Sequence, residues 1–188
     1  MKIIINENQL LEIISGEFNE VKIEKKDLLG SGAYHNVYPS KLNPNIVYKI
    51  GSKQSIDSWI ETFKSHPEIF PKVYRRGNTK IKTPYGDHDV DYVAIEKLET
   101  KSFEDFWMLI AKYFDYMLKG VLRSYNSNLS VIKNRGDMIL DNEGEETYKK
   151  FLELLDVVKT LFTIKKDPDI TPLNFGFDKN GNIKCLDI

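Results

Sequence analysis

The sequence lacks several features that would assign it to a specialised class of protein. It contains a single cysteine among 188 residues, Cys185, so no disulfide can form within the chain. No apolar run approaches the ~18 residues that a membrane-spanning helix requires, and the apolar start Met1 to Ile5 is too short for a signal peptide. These absences favour a protein of a reducing cytoplasm that does not cross a membrane.

The sequence also lacks an excess of charge of either sign. The 27 basic residues nearly balance the 28 acidic ones, and the formal net charge is -1 at pH 7. Nucleic acid and anionic membranes attract proteins with a clear excess of positive charge, so neither is predicted as a partner. What is present is a hydrophobic content of 41%, over a length suited to one compact domain or two small lobes.

A glycine turn and a strand with a central lysine give the first clear pattern. An alternating apolar run from Val21 leads into Gly30-Ser31-Gly32, and a second strand follows through Val37. After a turn, the β-rich run Ile46-Val47-Tyr48-Lys49-Ile50 predicts a strand with one lysine at its centre. A lysine in such a run either extends into water or contacts a specific anion.

Helical spacing of apolar residues predicts three helices further along the chain. Ser55 is the predicted N-cap of the first, which ends at His66-Pro67, and Ser102 is the predicted cap of the second. The third covers residues 148–162. The polar residues 124–144 are predicted to form a long connection or an insertion.

The stretch from Asp169 to Asp187 carries three oxygen-bearing side chains around a predicted hairpin. Asp169 precedes Asn174 by five residues, and Asn180-Gly181 is a pair that tolerates the positive φ angles of a tight turn. The two strands of the hairpin should hold Asn174 and Asp187 close together. The alternative interpretation is a turn capped by Asp169, with Asp187 at the end of an edge strand.

The order of these features resembles the protein kinase-like superfamily. The pattern from Asp169 to Asp187 is similar to the catalytic loop and metal-binding strand of protein kinases and their phosphotransferase relatives. Over residues 21–188 the resemblance implies an α+β fold. An antiparallel N-lobe sheet with one αC-type helix (21–98) precedes a reduced, mostly helical C-lobe (99–188) that ends at the metal-binding Asp187. Residues 1–20 are predicted to be an accessory segment.

The resemblance also implies roles for single residues. Asp169 would accept the proton of the attacking hydroxyl, while Asn174 and Asp187 would hold Mg²⁺ against the phosphates of ATP. Lys49 would contact the nucleotide phosphates, with Glu61 as the carboxylate that positions it.

Other residues of the resemblance concern the nucleotide pocket. Asp57, one helical turn before Glu61, is the alternative partner of the lysine. His35 occupies the position of the third glycine of the family's glycine-rich loop. The implied nucleotide-binding residues are Gly30, Ser31, Gly32, Val37, Val47, Lys49, Ile95, Glu96 and Leu98.

The implied function is an ATP- and Mg²⁺-dependent phosphotransferase, most simply a minimal Ser/Thr protein kinase. The sequence ends at Ile188, before the activation segment of longer kinases, so a naturally minimal and a truncated kinase are both expected alternatives. A pseudokinase that binds nucleotide or a partner, and a small-molecule kinase resembling aminoglycoside phosphotransferases, also stay open. A protein substrate or host protein partner is expected in the cytoplasm, including that of a host cell for a phage- or effector-type protein. The oligomeric state stays open.

Overall fold

The computed structural model describes residues 28–31, 35–41, 43–83 and 86–187. The predicted accessory segment 1–20, the predicted strand at Val21, Gly32 and the predicted turn at Pro84-Tyr85 lie outside them. In chain order the elements are β1 (Gly30–Ser31), β2 (His35–Pro39), β3 (Ile46–Gly51), α1 (Lys53–Ser65), β4 (Val73–Thr83), β5 (Gly86–Glu96), α2 (Thr100–Ala111), α3 (Leu118–Arg123), α4 (Leu129–Ile164), β6 (Phe175–Phe177) and β7 (Ile183–Cys185).

The first five strands form one antiparallel sheet in the order β1-β2-β3-β5-β4. The β-rich run around Lys49 is β3, at the centre of this sheet, as the sequence predicts. Strands β6 and β7 form a separate two-stranded hairpin. The chain is therefore an α+β protein with an antiparallel sheet.

The two faces of the large sheet carry different side chains because successive residues of a strand alternate between faces. One face holds a buried cluster of Ile46, Tyr48, Ile50, Tyr92 and Ala94. Its Tyr48 and Tyr92 rings meet edge to face, with centroids 5.8 Å apart. The opposite face carries the side chain of Lys49 and contacts α1.

Helix α1 begins three residues before the position that the sequence analysis gives. The N-cap is Ser52, whose Oγ accepts a hydrogen bond from the backbone N–H of Ser55 at 3.3 Å. The prediction of Ser55 as N-cap is wrong because Ser55 lies inside the first turn, where its hydroxyl returns a bond to the Ser52 carbonyl at 2.9 Å. The predicted end at His66 is confirmed.

The chain divides into two compact units. The first contains the chain up to Pro67 together with Pro71–Lys97, and the second contains Glu68–Phe70 and Leu98–Ile188. Both units contain fully buried apolar side chains, such as Ile56 in the first and Phe103 in the second. In the part of the chain that the structure describes, no helix has the length and apolar content needed to cross a membrane.

In the second unit, α2 packs on the β6–β7 hairpin through aromatic rings. Phe103 stacks on Phe175 with centroids 5.5 Å apart and meets Phe177 edge to face. The helix begins at Thr100 after Glu99, which makes no capping bond through its side chain. The prediction of Ser102 as the cap is therefore wrong, because the backbone of residue 99 is already fixed by its bridge to Phe177.

The long connection predicted at residues 124–144 is wrong for most of its length. Residues 129–164 are helical, and α4 breaks only at Gly144, where φ is 84° and ψ is 176°. Gly136 lies against the rings of Tyr148 and Phe151, so the helix folds back on itself at the break. The apolar residues of the first half are sparse, but Ile132 and Ile139, seven apart, are both buried.

Candidate active site

The loop that follows α4 is closed by the side chain of Asn174. Pro172 to Asn174 form a single 3₁₀ turn, and the Asn174 backbone N–H donates to the Thr171 carbonyl at 3.0 Å. The Asn174 amide nitrogen donates to the Asp169 carbonyl at 2.9 Å and to its carboxylate oxygen Oδ2 at 3.2 Å. Asp169 is exposed while the next residue, Ile170, is fully buried. The loop thus presents the Asp169 carboxylate at the surface. The Asn174 amide holds both the carbonyl and the carboxylate of this residue.

The β6–β7 hairpin brings the end of the described chain back to this loop. Phe175 pairs with Cys185, and the Leu186 N–H donates to the Asn174 carbonyl at 2.7 Å. The Cys185 thiol donates to the Asp187 carbonyl at 2.9 Å. The expectation that the hairpin holds Asn174 and Asp187 in the same region is therefore confirmed at the level of the backbone.

The turn of the hairpin is wider than the predicted two-residue turn. Of the pair Asn180-Gly181, only Gly181 has a positive φ, 81°. The loop is organised by Asp178, whose Oδ1 accepts from the backbone N–H groups of Asn180 and Asn182 at 2.8 and 2.9 Å. Burial alone would raise the pKa of Asp178, but the hydrogen bonds from Asn182 and Asn180 outweigh it and lower this pKa overall.

Helix α4 anchors the hairpin from one side. The Glu153 carboxylate accepts from the Ile183 N–H at 2.6 Å and from the Lys150 ammonium at 2.9 Å. The same Lys150 ammonium donates to the Gly181 carbonyl. The position of β7, and with it the chain up to Asp187, is therefore fixed by charged side chains of the long helix.

Two cations beside Asp169 belong to the site but were missed by the sequence analysis. Arg123 Nη2 lies 3.5 Å and Lys119 Nζ lies 3.9 Å from the Asp169 oxygen Oδ1. Both come from α3, one turn apart, and precede Asp169 by about fifty residues. Their spacing on a helix is visible in the sequence, but only the tertiary fold brings them to this carboxylate.

Asn174 and Asp187 supply the oxygen atoms that a hard cation such as Mg²⁺ prefers. Because the Asn174 nitrogen is used by Asp169, the amide oxygen is the end of this side chain that can bind a cation. Within residues 28–31, 35–41, 43–83 and 86–187, no three His, Cys, Asp or Glu side chains gather as a metal site. An Asn and Asp pair still fits Mg²⁺, since this ion is commonly held by one or two carboxylates plus substrate phosphates and water.

In the first unit, the predicted nucleotide residues Val37, Val47, Lys49 and Ile95 share one face of the sheet. Strand register decides this, since Val37 is opposite Lys49, and Val47 is opposite Ile95. Gly30 and Ser31 form β1, which pairs with β2 beside them.

The two remaining predicted nucleotide residues lie at the end of β5 and beyond it. Glu96 pairs with Ile46, so its side chain is on the other face of the sheet. Its backbone N–H donates to the Lys72 carbonyl at 2.9 Å. Leu98 belongs to the second unit and is buried there.

The carboxylates predicted to position Lys49 have other surroundings. Glu61 is exposed, and its carboxylate forms no ion pair within the described ranges. Asp57 binds Arg76, with Oδ1 and Nη1 2.8 Å apart. The ammonium of Lys49 instead lies over the ring of Trp59, 4.5 Å from its centroid. Trp59 carries no signal in the sequence that would mark it as a neighbour of Lys49, since an aromatic residue in such a helix is usually a core residue.

No protein-family model matches the chain, and no curated protein matches it.

Proposed function

We propose that the chain is an ATP- and Mg²⁺-dependent phosphotransferase with a protein kinase-like fold, most simply a minimal Ser/Thr protein kinase. The observation that carries the proposal is the local cluster of Asp169, Asn174 and the backbone before Asp187. The Asn174 amide bonds the Asp169 carboxylate, and the Asn174 carbonyl accepts from Leu186. An exposed carboxylate in contact with the Asn174 amide suits proton acceptance next to a cation-bound phosphate.

In the proposed reaction, an acceptor hydroxyl oxygen forms a bond to the γ-phosphorus of ATP. The bond from that phosphorus to the oxygen it shares with the β-phosphate breaks, and ADP leaves. The hydroxyl proton passes to the Asp169 carboxylate. Mg²⁺, held by Asn174 and Asp187, would neutralise charge on the phosphate oxygens.

The first unit supports the same reaction through a lysine on an apolar sheet face. The Lys49 ammonium is proposed to bind phosphate oxygens of the nucleotide. Val37, Val47 and Ile95, which share its face, offer the apolar surface that an adenine ring requires.

The test is transfer of labelled γ-phosphate from ATP with Mg²⁺, by the purified chain alone and with cell lysate. Asp169→Asn and Lys49→Met are each expected to lower transfer by at least about 100-fold, since a positioned acid or base contributes about 10²–10⁴. Asp156→Asn and Lys159→Met are matched controls, because both residues are exposed and lie outside the candidate site. Undiminished transfer by both Asp169→Asn and Lys49→Met would show that the assignment is wrong.

A pseudokinase is the second candidate, and the ion pairs of Asp169 favour it. Arg123 and Lys119 both lie within 4 Å of the carboxylate that a kinase would use as a base. A chain that binds nucleotide for a regulatory purpose has no need of a free carboxylate there. A rise in melting temperature with ATP, without transfer of label in either mixture, would favour this function.

A further inference from the structure

Lys49 is buried to an extent that lysine seldom reaches without a specific environment for its ammonium. It is 4% exposed, and its backbone pairs with Val37 on one side and Val93 on the other. Its Nζ lies 4.5 Å from the centroid of the Trp59 ring. Trp59 is itself 5% exposed, on the buried side of α1. Both partners of this contact are therefore fixed inside the first unit.

The indole of Trp59 lowers the stability of the fold in a way that a phenylalanine ring would not. Its Nε1 is buried and has no hydrogen-bond partner among the residues that the structure describes. A buried N–H without an acceptor destabilises a protein, and phenylalanine would cover the same face of the sheet without one. Tryptophan, however, attracts a cation over its ring more strongly than phenylalanine does. The π face over Lys49 accounts for an indole at this position.

We propose that Trp59 is a positioning residue that holds the Lys49 ammonium by a cation–π contact, the task that the sequence resemblance implies for Glu61. The exposure of Glu61 and the ion pair of Asp57 with Arg76 agree with this. The contact sets where the Lys49 ammonium lies on the sheet face that it shares with Val37 and Val47. The consequence for nucleotide binding rests on the proposed function.

The contact is tested first without nucleotide, by NMR of the Lys49 ε-methylene group in the full chain, assigned with Lys49→Arg. The ring current of Trp59 is expected to shift this signal upfield of the other lysines. Trp59→Leu is expected to abolish the shift, whereas Tyr92→Phe, in the buried cluster on the opposite face of the sheet, is expected to keep it. Retention of the shift in Trp59→Leu would overturn the proposal, whatever the result for Glu61→Gln.

A second measurement keeps the shape of the side chain and so does not depend on whether Trp59→Leu folds. Tryptophan carrying one, two or three fluorines is incorporated into a Trp107→Phe chain, in which Trp59 is the remaining tryptophan. Each fluorine withdraws electrons from the ring face. Affinity for ATP is expected to fall stepwise, by between about 2-fold and about 30-fold over the series.

The two measurements separate this inference from the proposed function. An unchanged affinity for ATP across the fluorinated series would overturn the positioning role of Trp59 while nucleotide binding itself stands. Failure of the unmodified chain to bind ATP would contradict the proposed function. In that case the NMR signal of Lys49 still decides whether Trp59 holds the ammonium.

Discussion

At the scale of single residues, the Asn174 amide is the group that joins the two ends of the candidate active-site loop. We predict that Asn174→Asp lowers the free energy of unfolding by about 1 kcal/mol at pH 7, because it sets a second carboxylate against that of Asp169. Like charge raises the pKa of such a pair in the folded state, so the loss should shrink as the pH falls through ~4. Urea unfolding at pH 7 and pH 4 measures this.

Asn174→Ala is the control for this prediction, since it removes the hydrogen bonds without adding charge. Its loss of stability should change less between the two pH values than that of Asn174→Asp. Equal pH dependence of the two variants would mean that the Asp169 carboxylate does not lie beside Asn174.

Gly176 lies so close to Leu98, within the second unit, that a side chain does not fit at this position. A Cβ at this position would lie 2.6 Å from the Leu98 Cβ, where β6 meets the bridge at Glu99. We expect Gly176→Ala to destabilise the chain by about 1–3 kcal/mol, the usual cost of overpacking. Gly120→Ala, at an exposed position of α3 with nothing within 4 Å of the added Cβ, is the matched control and should stabilise by about 0.5–1 kcal/mol. Chemical denaturation that finds the two variants alike would contradict the packing.

At the scale of elements, the turn after α2 is tied to the end of the first half of α4. The Glu143 carboxylate accepts from the Lys112 ammonium at 2.6 Å and from the Tyr113 hydroxyl. The hydrogen bond from Lys112, followed by that from Tyr113, lowers the pKa of Glu143 below its ordinary value of 4.5. The bond to Glu143 raises the pKa of Lys112 above 10.5.

These two pKa shifts predict that the free energy of unfolding falls at both acid and alkaline pH. A lowered acid pKa contributes stability that is present above pH 4.5 and is lost as the pH falls through the folded pKa. A raised lysine pKa contributes stability that is present below pH 10.5 and is lost as the pH rises through the folded pKa. We expect Glu143→Gln to flatten the profile at both edges, and thermal unfolding between pH 3 and pH 11 tests this. A parallel profile for the variant would rule out the contact.

At the scale of the whole molecule, the proposed reaction draws on groups from two compact units. Lys49 belongs to the first unit and Asp169 to the second. If both act in one phosphotransfer step, the double variant Lys49→Met with Asp169→Asn should transfer phosphate about as slowly as the slower single variant. Rates that multiply instead would indicate independent contributions. Single-turnover transfer of labelled phosphate separates the two outcomes.

Sequence reasoning was accurate where the pattern is local. The strand around Lys49, the end of α1 at His66 and the hairpin after Asn174 all follow from alternation, proline and turn residues within a few positions. It failed at residues 124–144, where polar composition indicated a connection. The helix there is stabilised by its fold back at Gly144, a packing that no short window of sequence contains.

The sequence by itself determined the α+β class, the strand that carries Lys49 and the spacing of Asp169, Asn174 and Asp187. These depend on backbone preferences and on distances along the chain, which the order of residues fixes. Only the tertiary structure decided which charged groups meet. It placed Arg123 and Lys119 beside Asp169. It also placed the Lys49 ammonium over the Trp59 ring, while Glu61 is exposed. Helix rotation and packing control these contacts. Side chains several positions apart can lie on one face of a helix, whereas adjacent residues point to different faces.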